Sequence, residues 1–332
     1  MDFIQMSENI ASDWSLGAVS RPPRLVSGGY LHKMYRLDTA RGSYAVKLLN
    51  PGIMQRPEAM QNYRKAEALE AVLEAHQLPV VAAMRRDGQK MQKVGNQYYY
   101  LFPWVDAAAV PWKEITTEHC RIIGNMLAQM HTLPCDDAAE AANPAPNQEN
   151  WVQLAKEASS VFPELSLPEN FALLQTAQQA YNNALQAMPS IHAICNADMD
   201  CKNVLWQDDR PLVIDLECLE ISNPVNDLVQ LALSWAGGAV CDLSLEKLEA
   251  FLQAYHQRHQ LPELDWHSLI GLGFAWLDWF SYNIRRALGC EGASAQDREM
   301  GVKQARETLN RIRTHAALQQ RAAAVFSKVM NP

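Results

Sequence analysis

A chain of 332 residues, 48% of them hydrophobic, is long enough for one large domain or two closely packed lobes around a substantial core. Its net charge of −8 argues against general affinity for nucleic acid, which demands a basic face; it suits a cationic substrate and equally suits an ordinary solvated surface. No apolar run approaches the ~20 residues that span a bilayer, the start M-D-F-I-Q-M-S-E-N-I has no secretory-signal pattern, and seven cysteines without a C-x-x-C pair point to reduced thiols in the cytoplasm.

From residue 20 to residue 50 the pattern is that of an antiparallel meander. Arg24 to Val26 leads into a turn at Ser27-Gly28-Gly29, Met34 to Leu37 alternates, and a turn at Ala40-Arg41-Gly42 returns the chain through Tyr44, Val46 and Leu48. The glycine turn is either a plain hairpin or a place where backbone N–H groups approach a triphosphate. Lys47 sits between Val46 and Leu48, so it faces opposite to them, into solvent or into a cleft. Pro57 opens a helix through Met60, Tyr63, Leu69, Val72 and Leu73, with Glu67 and Glu70 on different faces. L-P-V-V-A-A-M, K-M-Q-K-V, a turn at Gly95-Asn96 and Y-Y-Y-L-F-P-W-V complete the sheet-forming part, for about five strands and one helix before residue 105.

Thereafter helical patterns dominate. Thr116 or Thr117 caps a helix that ends at His131-Thr132-Leu133-Pro134, the stretch 136–149 is a surface loop, and further helices cover roughly 150–161 and 168–188. After the stretch 195–218, Asn223 caps another helix with Pro224 at its first position and Asp227 in its first turn. A late aromatic helix places Trp276, Trp279, Phe280 and Asn283 on one face. That face either packs in the core or lines a pocket for an ammonium group, with Asp278 or Glu220 nearby. The Arg285-Arg286 pair meets either an anionic substrate or solvent. Strands first and helices afterwards is the segregation of an α+β fold.

The stretch Cys195 to Cys218 carries the chemistry. Asp198 is followed five positions later by Asn203, and an apolar hairpin delivers Asp215 and Glu217 at the end of its second strand. Two carboxylates and an amide on such a frame hold a divalent cation through hard oxygens and leave one carboxylate to accept a proton, as phosphoryl transfer from a nucleotide requires. Cys195, Cys201 and Cys218 flank the stretch without zinc spacing and are expected to be buried small hydrophobes.

The spacing D-x-x-x-x-N followed by a strand-borne Asp resembles the catalytic and metal segments of protein-kinase-like enzymes. D-M-D-C-K-N-V-L-W followed by V-I-D-L-E is similar, more narrowly, to the aminoglycoside phosphotransferase and choline kinase superfamily, and the resemblance extends over residues 24 to about 235. It implies a bilobal fold: an antiparallel-sheet nucleotide-binding lobe over residues 1–105, and a larger, mostly helical lobe over 106–332 with the catalytic loop and acceptor site. Lys47, held by Glu67 (Glu70 in reserve), would position the nucleotide phosphates beneath the turn Ser27-Gly28-Gly29. The segment of Phe102 and Trp104 would hold the adenine edge, or serve only as the crossover. Asn203 and Asp215 would bind Mg²⁺, Asp198 would take the proton of a hydroxyl, and Asp227 would brace the catalytic loop. Asp200 and Glu217 would assist the metal, bind the acceptor or lie at the surface, with Glu220, Trp276, Asp278 and Trp279 as further acceptor candidates. The implied reaction is transfer of the γ-phosphoryl group of ATP (or GTP) to a hydroxyl of a small amine-bearing or sugar acceptor; the alternative is a nucleotide-binding protein without transfer. One departure bears on this: Asn196 stands where the superfamily has the loop-bracing His of H-x-D.

Overall fold

The computed structural model describes residues 3–26, 32–135, 141, 144–159, 167–291 and 294–332. Contacts divide the chain into two compact units, Met1–Val110 with Cys201–Glu220, and Pro111–Asp200 with Ile221–Pro332. Where the sequence suggests one boundary at 105/106, the first unit runs to Val110 and takes in the segment 201–220 as well. The turn Ser27-Gly28-Gly29 lies outside the described residues.

The first unit is built on one sheet. Helix α1 (Phe3–Asp13) precedes strands β1 (Arg24–Val26), β2 (Lys33–Thr39) and β3 (Gly42–Leu48); α2 (Pro51–Met54) and α3 (Ala59–Ala75) follow, then β4 (Gln92–Val94), β5 (Gln97–Pro103) and the short β6 (Ala108–Ala109). Five strands pair in the order β1-β2-β3-β5-β4, and every pairing is antiparallel. Alternation decides which side chain meets what. Val46 lies opposite Leu101, and both are buried with Leu37 and Tyr99 beneath Met6 and Ile10 of α1. Lys47, one residue on, lies opposite Tyr100 on the other face. Helix α1 was not anticipated from sequence, because its Met6 and Ile10 gain meaning only against the sheet, where burying each such side chain contributes roughly 1.5–3 kcal/mol. Trp14 at its end donates its indole N–H to Tyr99 Oη at 2.9 Å.

Residues 78–84 are not a strand of this sheet. Pro79 has no N–H to offer a ladder; residues 79–81 pair with the hairpin Val204–Gln207/Arg210–Val213, and only Met84 N–H reaches the sheet, donating to Leu101 O at 2.8 Å. Val213 N–H donates to Pro79 O and Val81 N–H to Val213 O, each at 2.8 Å. The β6 strand adds to the same hairpin, Ala108 opposite Trp206.

The second unit is helical, with α4 (Thr117–His131), α5 (Trp151–Ser159), α6 (Phe171–Ala187), α7 (Pro224–Trp235), α8 (Leu245–Arg258), α9 (Trp266–Leu269), α10 (Trp276–Leu288) and α11 (Ala295–Met330), plus short strands Ala193–Cys195 and Glu220–Ser222. Helix α4 starts where Thr116 accepts the N–H of His119 in a capping box, and α7 starts where Asn223 accepts from Val225 N–H with Pro224 next in line, as read from sequence. Helices α4 and α8 touch backbone to backbone at Gly124, where a Cβ would lie 2.3 Å from the Phe251 carbonyl oxygen. Among the described residues no helix is long and apolar enough to cross a membrane.

Candidate active site

On the α3-facing side of the sheet, a cleft in the first unit is lined by Lys47, Glu67, Tyr100, Phe102, Asp215 and Glu217, among others. Lys47 is 5% exposed, so its ammonium must be neutralised locally. Its Nζ lies 2.6 Å from Asp215 Oδ1 and 2.6 Å from Glu217 Oε2. Burial works against the charge, yet the two carboxylates outweigh it and the Lys47 ammonium is held above its ordinary range. Asp215 and Glu217 both reach one ammonium because Asp215 adopts the left-handed region (φ 59°, ψ 60°) and opens the 3-10 turn Leu216–Cys218. An Asp tolerates that conformation, at a cost of roughly 1–2 kcal/mol.

Glu217 is gripped from both sides. Its Oε1 lies 3.2 Å from His32 Nε2, while His32 Nδ1 accepts the backbone N–H of Asn50 at 3.0 Å. Accepting at Nδ1 places the imidazole proton on Nε2, aimed at the carboxylate. Burial opposes the Glu217 charge, but the His32 hydrogen bond and the Lys47 ammonium hold its carboxyl down at about 2. Asn203 closes the adjacent 3-10 turn Cys201–Asn203; it is buried, and its carbonyl accepts Ile214 N–H at 2.9 Å, which sets it beside the strand end that carries Asp215.

The expected Lys47–Glu67 pair is not formed. Glu67 Oε1 instead accepts the Tyr100 hydroxyl at 2.7 Å and Met91 N–H at 3.2 Å. Glu70, the reserve, accepts Ala83 N–H at 2.7 Å and pairs at 3.0 Å with Lys90, which is 0% exposed. Glu217 takes the place assigned to Glu67, because it returns to the lysine along a hairpin that sequence spacing cannot aim. Phe102 lines the cleft, whereas Trp104 is not among its lining residues: the Arg36 guanidinium stacks 4.5 Å over the Trp104 ring and its indole donates to Asp106.

In the second unit the loop bearing Asp198 follows strand Ala193–Cys195. Asn196 is buried; its backbone N–H donates to Asp227 Oδ2 at 3.0 Å, and its side-chain Oδ1 accepts Asp198 N–H at 3.3 Å. Asp227 Oδ2 also meets His131 Nε2 at 3.1 Å, and His131 Nδ1 meets the Tyr255 hydroxyl at 2.8 Å. Trp235, at the far end of α7, donates its indole to Met199 O at 2.9 Å. Helix α7 thus holds the loop at both ends. Asp198 and Asp200 are both half-buried.

The phosphotransferase enzyme family, APH, matches residues 23–267, which include every one of these side chains. The chain belongs to that family. It is a phosphotransferase. No curated protein matches it in sequence. Solved structures of the same fold include a spectinomycin phosphotransferase in complex with ADP and spectinomycin (TM-score 0.72, 13% identity, covering 95% of this chain and 98% of that one). They also include a choline/ethanolamine kinase family protein from Mesorhizobium loti (TM-score 0.63, 15% identity, 98% and 99% covered) and a microcompartment-associated aminopropanol kinase (TM-score 0.63, 16% identity, 97% and 99% covered).

Asp278 is exposed and accepts Asn147 Nδ2 at 2.6 Å. Trp279 stacks on Tyr282, centroids 5.4 Å apart, and Glu220 is exposed at the start of its strand. Trp276 is half-buried, with the Arg311 guanidinium 4.7 Å from its ring centroid. Arg285 pairs with Glu149 and Arg286 with Asp297, so neither is a bare anion site. Cys195 and Cys201 are buried as expected, but Cys218 is exposed, because the 3-10 turn that presents Glu217 inward turns the next side chain out. Sequence reading missed His32, Lys90 and Arg311. Only His32 left a signal, as a polar residue three positions after Gly29 of the glycine turn.

Proposed function

We propose that this phosphotransferase is an ATP-dependent small-molecule kinase that transfers the γ-phosphoryl group to a hydroxyl. The observation that carries the reading is the convergence of Asp215 and Glu217 on Lys47, two hard-oxygen carboxylates and an ammonium in one buried cleft of the first unit. Lys47 is the group that would meet the nucleotide phosphates. The donor types fit Mg²⁺: two carboxylates already share one cation, and Asn203, in the turn that leads into the same hairpin, would add an amide oxygen. Asn203 and Asp215 would hold Mg²⁺, whose chemistry when bound would be charge neutralisation.

Asp198 accepts the hydroxyl proton as the acceptor oxygen bonds to Pγ and the bond from Pγ to the β,γ-bridging oxygen breaks, leaving ADP. Asn196 and Asp227 position that carboxylate through the loop backbone. The reading without transfer rests on Asn196 alone, and the Asn196 carboxamide makes a hydrogen bond to the loop that a bracing residue needs to make. The spectinomycin phosphotransferase structure contains ADP, which supports nucleotide use by this chain. A screen of hydroxylated amines, sugars and acids, read as ADP release, tests the proposal with Asp198→Ala as the blank; equal turnover by parent and variant would overturn it.

A further inference from the structure

The second unit contains a pocket that the reading above does not use. It is formed by α7, the 3-10 segments Gly238–Val240 and Ile270–Phe274, the start of α10 and the middle of α11, with Trp276, Arg311, Ser234, Gln230, Thr314 and His315 on its walls. No aspartate or glutamate lines it among the described residues. Arg311 is half-buried, and among the described residues it meets no carboxylate; its guanidinium lies instead over the Trp276 ring, 4.7 Å from the centroid. Stacking holds the planar fork in place without consuming its N–H donors.

Ser234 is 9% exposed, and its hydroxyl has no partner among the described residues. Ser234 lines the pocket, and its hydroxyl can donate to a ligand oxygen there. His315 is uncharged here: its Nε2 donates to Ile270 O at 3.0 Å, and burial lowers it to about 4. Arg311 is therefore the one permanent charge on the wall, among the described residues. An ammonium group fits poorly, since Trp276, the aromatic it would use, already carries a cation and no carboxylate stands by to balance a second.

We infer that this pocket binds the carboxylate of a small organic acid, with Arg311 as the ionic partner and Ser234 as a hydroxyl donor. The inference deepens the kinase reading by naming an anionic ligand for the helical unit, and it rests on that reading only where the ligand is the phosphate acceptor. Binding itself requires no turnover.

The test uses the full chain without nucleotide. Thermal stabilisation and calorimetry are measured with glycerate and 4-hydroxybutyrate, against glycerol, ethanolamine and choline as matched neutral and cationic controls. The expected result is stabilisation by the acids alone, lost at least tenfold in affinity in Arg311→Gln and partly retained in Arg311→Lys, with Ser234→Ala weakening it severalfold. Unliganded melting of each variant near that of the parent shows that the loss is not misfolding. No stabilisation by either acid, or equal stabilisation of parent and Arg311→Gln, overturns the inference. Stabilisation by ethanolamine or choline that survives in Arg311→Gln does the same. These binding measurements involve no turnover, so their failure would sink the inference while sparing the kinase reading, and a failure to release ADP on any acceptor would leave the inference standing.

Discussion

Lys47 Nζ and Glu217 Oε2 stand 2.6 Å apart although 170 positions separate them in the chain, and Glu217 is fixed from behind by His32. The pair makes stability depend on pH with a definite sign. Glu217 is held at about 2 in the folded protein against an ordinary 4.5, so its contribution is complete above about 4.5 and is lost as pH falls through 2. Glu217→Gln should lower urea stability by about 2–4 kcal/mol at neutral pH, and the gap to the parent should close as pH falls toward 2. A gap that stays constant from pH 7 to pH 3 would show that Glu217 carries no charge in the folded state.

Asn196 supports the Asp198 loop with one side-chain oxygen. Asn196→Ala removes the acceptor for Asp198 N–H while leaving its own backbone bond to Asp227. Turnover should drop about tenfold, the equivalent of ~1.4 kcal/mol. Nucleotide affinity, set in the other unit, should not change. Steady-state kinetics beside ATP titration separates the two quantities.

Asp198 and Asp215 should fail differently. Asp198→Ala removes the proton acceptor and should cut turnover by about 10²–10⁴-fold with nucleotide binding intact. Asp215→Ala should weaken Mg²⁺-dependent nucleotide binding, read as loss of the difference between ATP titrations with and without the metal. It also removes one of the two partners of buried Lys47, so its melting temperature should fall as well.

Glu70 is a structural acid, not a reserve for the cleft lysine. It compensates Lys90, which is fully enclosed, and takes the Ala83 N–H. Glu70→Ala should cost about 3–5 kcal/mol because a buried ammonium loses its enclosed partner. Glu74→Ala, removing the more exposed partner of the same lysine, should cost under about 1 kcal/mol. Chemical denaturation of both variants provides the comparison.

Much of the fold was readable from neighbouring residues alone. Alternation in Met34–Leu37 and Tyr44–Leu48 predicts the β2–β3 hairpin, Asn223-Pro224 predicts the start of α7, and Thr116 or Thr117 predicts the start of α4, where Thr116 is the cap. These signals are local: a cap or a period of two is complete within a few positions. The same alternation correctly turns Lys47 away from the Val46 core. What it could not supply was the partner, since Glu67, Glu70 and Glu217 are chemically equal acids.

The sequence by itself determined the division into a sheet-rich and a helix-rich part, the starts of α4 and α7, and the set of acids, amide and lysine available for chemistry. Tertiary structure alone decided how they combine: Glu217 rather than Glu67 on Lys47, Tyr100 on Glu67, and Arg311 rather than a ligand ammonium over Trp276. The physical reason is that caps and periodicity act over a few bonds of chain, whereas an ion pair forms with whichever opposite charge the folded backbone carries to within about 4 Å.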